Sequence, residues 1–426
     1  MPCHTQILRN RLVLVTEPVV TAKTVAIGFW FSVGSRMEPA NLRGISHFTE
    51  HLLFKGTKKR SSYDISVSFD RIGGYANAFT ERECICMHCT VPSKYALDAL
   101  EILCDMTQNA VFDSKEIVRE RSVIESEIIS SQDDPEEAAL DALSGAVWNI
   151  EGLKEPISGT VENVRNIKDE QLLSWYKEHI VNGPLEICIA GNFNEDDAAN
   201  LIEKLIPNHN EHKNLLPLND KKVWNQGLHI LNTNEFSQTQ IFLLHRFDYP
   251  ISQKEYYAFS ILNAMAGDTM SSRLFQELRE KNGWCYSVYS YFTFYEDTAY
   301  WCAYASCDKK NLVSVVTKLL LSIKDFSSGN FTEDEIIAAK EHVSGEELIS
   351  CEDMEYRMKK LDRNQCWGFS FLDAEETSSY IHTINFEELV LCAEKIFSGQ
   401  NALVLYGPRI SSSVKQKLKE AYSEYC

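Results

Sequence analysis

The order of local signals in this 426-residue chain repeats at about half its length, and that repetition constrains the fold more than any single element. Ile167 to Gly191 and Ile384 to Gly407 each open on Ile and place a Leu five residues on, at Leu172 and Leu389. Both then close an apolar helix, at Ile180 and Phe397, and run through a short strand into Gly. Two similar halves of about 210 residues imply duplication of one domain. Between Pro207 and Gly227 the composition shifts to Asn, Lys, His and Pro without apolar periodicity, as in a linker. The expected layout is a first domain over 1–206, a linker over 207–227 and a second domain over 228–426.

Within the first half, Val13 to Val15 and Val25 to Val33 are rich in β-branched and aromatic residues and predict strands. Ser46 to Phe54 predicts a helix with Ser46 as its cap and Gly56 as its stop, and Tyr63 to Arg71 a second one. Tyr75 to Val91 predicts a long strand region. Apolar residues at Ile117, Ile124 and Ile128 among carboxylates predict an amphipathic helix from Ser114 to Ser131, capped by Ser114. The second half predicts helices at Tyr256 to Ala266, Ser272 to Lys281 and Phe386 to Phe397, with strands at Tyr286 to Phe294, Tyr300 to Ser306 and Leu403 to Tyr406.

The chain carries 42 Lys and Arg against 61 Asp and Glu, a net charge of −19. Nucleic-acid binding needs clustered cations, and the longest basic run is Lys58-Lys59-Arg60, so the balance favours cationic ligands instead. The longest apolar stretch falls short of the roughly 18 residues of a membrane helix, so no membrane partner is expected. Thirteen scattered Cys and a start without a secretory pattern predict free thiols and a cytoplasmic protein. In a strand, Cys84, Cys86 and His88 share one face and Cys89 the other, so Cys86 to Cys89 predicts structural thiols.

The sharpest chemical signal is His47-Phe48-Thr49-Glu50-His51. On a helix the two His lie one turn apart on one face, and Glu50 sits about 60° round from His47. Both imidazoles can then reach one metal ion while the carboxylate reaches its water. Eleven His in a chain of this length give about 0.04 such motifs by chance. Further downstream, any of Glu116, Glu120 or Glu127 is available as an additional ligand or as a solvated helix carboxylate.

His-x-x-Glu-His is the inverzincin signature. With Gly34-Ser35-Arg36 and Glu38 before it, Phe54-Lys55-Gly56-Thr57 after it, Gly74 to Ala78, Gly159-Thr160 and Ser272-Arg273-Leu274-Phe275, the chain resembles the pitrilysin and insulysin zinc peptidases over nearly its whole length. It is most similar to bacterial homologues of the mitochondrial processing peptidase. The resemblance implies an α+β fold of two homologous domains, each an antiparallel sheet with helices on one side. It implies one zinc per chain, held by His47, His51 and Glu127, with Glu50 as general base. Glu120 is similar to the family's second acidic residue near the site, and helical spacing sets Glu120 and Glu127 on one face.

Other assignments are also carried by the resemblance. Gly74, Tyr75, Ala76, Asn77 and Ala78 match an edge strand that pairs with an extended peptide. Arg279 and Tyr286 match a pair that completes the catalytic site from the second domain. The implied activity is endopeptidase cleavage of peptides or unfolded polypeptide segments inside a chamber enclosed by a homodimer. The alternative is a non-catalytic partner or scaffold subunit, but degenerate members typically lose motif residues that stand here.

Overall fold

Strands form where β-branched and aromatic residues concentrate, and eleven occur among the described residues, 3–207, 223–247 and 249–426 of the computed structural model. Most of the expected linker lies outside the described residues. The first sheet is built from β1 (His4–Ile7), β2 (Val13–Pro18), β3 (Thr24–Phe31), β4 (Tyr75–Thr80), β5 (Ile85–Pro92) and β6 (Leu185–Gly191), in the order β1-β2-β6-β3-β5-β4. The second contains β7 (Gly227–Asn232), β8 (Gln238–Phe247), β9 (Cys285–Phe294), β10 (Ala299–Asp308) and β11 (Gln400–Gly407), ordered β7-β11-β8-β10-β9. Without β1, the two orders coincide strand for strand, which is the duplication seen in the sequence.

The expected class of two homologous α+β domains therefore holds, with two refinements. Each sheet contains one parallel pair, β2 with β6 and β7 with β11, while its other pairs are antiparallel. Helices also cover both faces of the first sheet. β3 is a nearly continuous apolar run, so both of its faces must be removed from water. One face, with Ile27, Phe29 and Phe31, shares a core with α1 (Ile45–Leu53), α2 (Ser62–Ile72) and α3 (Ala96–Asn109). The other, with Val15, Ala26, Trp30, Cys188 and Ala190, packs on Met354, Met358 and Leu361 of the helix Met354–Trp367. Gly28 permits that approach, since a Cβ there would lie 2.3 Å from the Met358 sulfur.

The helices account for the compact units, which are discontinuous in sequence. One comprises Met1–Ser131, Glu151–Asn214 and Ile349–Asp373, and the other Gln132–Ile150, Leu215–Leu348 and Ala374–Cys426. Contiguous boundaries had been expected, but residues 132–150 and 349–373 each join the unit built mainly from the other half. In the second unit α5 (Pro135–Val147) packs on β8 and β11, burying Ala139, Leu143 and Val147.

Several local details differ from expectation. Tyr75 to Val91 is two strands, joined by a turn in which the Glu81 amide donates to the Cys84 carbonyl at 2.8 Å. The helix expected from Ser46 begins at Ile45, with Gly44 as its cap at φ +88°. Asp113, rather than Ser114, caps α4 (Ser114–Asp133) by accepting from the Lys115 amide at 2.9 Å. Ser114 instead donates to Asp169 at 2.8 Å. A short polar side chain signals a cap region, but the φ/ψ of its neighbours decides which residue fills it.

Candidate metal centre

In α1, Ile45, Phe48, Thr49, Leu52 and Leu53 are buried, which turns His47, Glu50 and His51 onto the half-buried flank. The first turn is fixed by an unusual cap. Buried Glu38 accepts from the Gly44 amide at 2.8 Å and the Ser46 amide at 2.7 Å, while Arg43 donates to the Glu38 carbonyl at 2.6 Å. Gly44 is required there, because a Cβ would stand 2.4 Å from the Ser158 carbonyl oxygen in a left-handed conformation. The motif helix is thus anchored before its first His.

α4 brings its carboxylates to this flank. Ile117, Ile124 and Ile128 are buried with Glu120, and Glu127 lies one further double turn along the same face. Glu127 Oε1 is 3.6 Å from His47 Nε2, and Oε2 is 3.5 Å from His51 Nε2. Donor atoms of His47, His51 and Glu127 all lie within 4.8 Å of one another. Two imidazoles and a carboxylate form a three-donor set suited to zinc, which in catalytic sites takes water as its fourth ligand. The sequence left three carboxylates open, and the structure brings Glu127 to both imidazoles.

Glu120, expected as a second acidic residue near the site and as a substrate-binding residue, has both oxygens paired beside the His motif. Oε2 accepts from His51 Nδ1 at 3.1 Å and Oε1 pairs with Lys55 at 2.9 Å. With Nδ1 donating, the lone pair of His51 is left on Nε2, facing Glu127. Glu50 accepts from the Thr80 hydroxyl at 2.6 Å. Both Thr80 and Lys55 escaped the sequence analysis as functional candidates. Period-2 alternation from Ala76 and Ala78 would have set Thr80 on the same strand face, and Lys55 stands four residues after His51.

The electrostatics follow from this burial. Burial, and then the neighbouring His51, pull the His47 imidazole down to about 4, so it is neutral and able to donate a lone pair. For His51 burial acts in the same direction, but hydrogen bonds to Glu127 and Glu120 outweigh it and raise the net value. The His51 bond lowers Glu127 despite an opposing effect of burial. Glu50 is raised by burial, with the Thr80 hydroxyl opposing. A carboxylate raised in this way is a stronger base than a solvated one, as proton abstraction from water requires.

The other candidates are placed as follows. Gly74 precedes β4, whose Tyr75, Ala76, Asn77 and Ala78 occupy an edge of the first sheet, paired on one side with β5. Tyr75 is exposed and donates to Glu355 at 2.7 Å, and the Asn77 side chain accepts from the Ala78 amide at 2.9 Å. Arg279 and Tyr286 belong to the second unit. Arg279 donates to the Tyr286 carbonyl at 2.7 Å and its guanidinium stands 4.9 Å from the centre of that ring. The two therefore form one local unit, with the Tyr286 side chain exposed.

Comparison with known proteins gives consistent matches. A family model described as insulinase, peptidase family M16, matches residues 13–161, and one described as peptidase M16 inactive domain matches residues 166–343. The uncharacterized zinc protease YmxG of Bacillus subtilis (strain 168) is 31% identical over 398 residues, covering 93% of this chain and 96% of its own. An uncharacterized zinc protease of Rickettsia felis is 32% identical over 403 residues, covering 94% and 96%. Among solved structures, a peptidase M16 inactive domain from Pseudomonas fluorescens superposes with a TM-score of 0.85 at 15% identity, over 96% of this chain and 99% of that one. A protease from Helicobacter pylori gives 0.81 at 18% identity, over 96% and 99%. These structural likenesses bear on the fold.

Proposed function

Because the chain belongs to the insulinase-type M16 peptidase family, we propose that it is a zinc-dependent endopeptidase acting on peptides or unfolded polypeptide segments. The observation that carries this reading is the convergence of His47, His51 and Glu127 beside the buried carboxylate of Glu50. His47, His51 and Glu127 would hold one zinc ion per chain. When bound, zinc supplies Lewis acidity, which acidifies water and polarises a carbonyl.

The chain's own residues account for the remaining steps. Thr80 fixes one oxygen of Glu50 and leaves Oε1 to accept a proton from the attacking water. Glu50 then returns that proton to the leaving amine. Glu120, with Lys55, keeps the His51 ring turned towards Glu127. The outer edge of β4, from Gly74 through Ala78, offers backbone groups to an extended peptide, a mode of recognition tolerant of sequence. Arg279 and Tyr286 are proposed to contact bound substrate. A net charge of −19 favours cationic peptides.

Glu50→Gln tests the central step. It should retain zinc, since Glu50 is not a ligand, and lose about 10²- to 10⁴-fold in cleavage of a quenched basic peptide. Cleavage near the unmodified rate would refute the mechanism. The proposed working form is a homodimer enclosing a chamber, in the cytoplasm. Native mass spectrometry of active protein should show twice the chain mass, and an active monomer would sink that part. A non-catalytic partner or scaffold role is the alternative, favoured by absence of zinc from the freshly purified protein.

A further inference from the structure

The face of the first sheet turned away from the His motif holds a second group of donors that the proposed peptidase chemistry does not use. Glu186 and Cys188 stand two residues apart on β6, hence on one face. The helix Met354–Trp367 lies on that face and carries Asp362, with Cys366 one turn further on. Donor atoms of Glu186, Cys188 and Asp362 lie within 4.8 Å of one another. The Cys188 thiol, fully buried, donates to Glu186 Oε1 at 3.4 Å, and the Cys366 thiol to Asp362 Oδ1 at 3.7 Å.

The charge balance of the group supplies a separate argument. Among the described residues, no Lys or Arg pairs with Glu186 or Asp362, and the charged neighbour acting on each is another carboxylate. With no cationic side chain to balance them, these two half-buried carboxylates favour a bound cation as their counter-charge.

We propose that Glu186, Cys188 and Asp362, with Cys366 within reach as a fourth ligand, form a second metal site for a borderline divalent cation such as zinc. A thiolate beside carboxylates suits zinc or cobalt better than calcium or magnesium, which take oxygen ligands. The bound ion joins β6 to a helix far away in sequence, so its role is to hold that helix on the sheet. It shares no ligand with the His47, His51 and Glu127 group and stands independently of the peptidase reading.

Cobalt(II) added to the metal-free full-length protein tests the site through a signal the histidine group cannot give. A thiolate-to-cobalt charge-transfer band in the near ultraviolet is expected, with two cobalt ions per chain. A variant carrying His47→Ala and His51→Ala should keep the band and one ion, which guards against misreading a Cys188 variant that misfolds. Cys188→Ser, checked as folded by circular dichroism, should lose the band. No band in the unmodified protein, its loss with the two histidines, or its survival in folded Cys188→Ser would each overturn the proposal.

Discussion

Thr49 shows how one atom can be out of place on a helix that otherwise follows its pattern. Its side chain is fully buried, yet its hydroxyl has no hydrogen-bond partner among the described residues. Burying an unpaired hydroxyl costs about 1–3 kcal/mol, and valine keeps nearly the same shape. Thr49→Val should therefore leave stability unchanged or raise it by about 1 kcal/mol, read from the urea midpoint, with zinc content unaltered. A loss above about 1 kcal/mol would mean that the hydroxyl is partnered. His47, Glu50 and His51 were legible in sequence because helical spacing alone sets them on one flank. The ion pair of Glu120 with Lys55 and the bond from Thr80 to Glu50 were not, since each joins side chains whose approach depends on how α1, α4 and β4 pack.

At the scale of elements, caps and ion pairs decide where helices begin and what they hold. The helix Glu333–Ser350 starts with a reciprocal cap in which Glu335 accepts from the Thr332 amide at 2.8 Å and Thr332 accepts from the Glu335 amide at 3.2 Å. Arg273 grips the same carboxylate with two nitrogens, at 2.7 and 2.9 Å. The Arg273 bonds, with help from the Thr332 amide and against partial burial, hold Glu335 down at about 2. A depressed carboxylate contributes stability that is present above its unfolded value of 4.5 and lost as pH falls towards 2. Partial exposure screens the pair, so Glu335→Gln should remove about 1 kcal/mol at neutral pH and flatten the acid limb of the stability curve. An acid limb unchanged between pH 5 and about 2 would contradict this assignment. The strand over Val25 to Val33 was legible because β-branched and aromatic residues concentrate there, and the helix over Phe386 to Phe397 because its apolar residues recur at helical spacing. The cap of α1 was not, because its carboxylate comes from Glu38, outside the helix.

For the whole molecule, discontinuity is the property with the largest consequence. A fragment ending at residue 206 contains the His motif, α4 and all six strands of the first sheet, but lacks the helix that covers Val15, Ala26, Trp30 and Ala190. Its uncovered apolar face should bind a hydrophobic dye, aggregate, and unfold without a cooperative transition, while fusion of residues 349–373 should restore cooperativity. A fragment that unfolds cooperatively and stays monomeric would show that the helix is dispensable. By itself the sequence determined the duplicated α+β organisation, the main elements and the two-histidine motif, because hydrophobic period and helical spacing are properties of neighbouring residues. Tertiary structure alone decided that residues 132–150 and 349–373 join the other units, that Glu127 rather than Glu116 or Glu120 meets both imidazoles, and that Glu186 and Cys188 face Asp362. Those outcomes depend on which distant surfaces bury each other, and packing between remote segments leaves no local periodic signal in the chain.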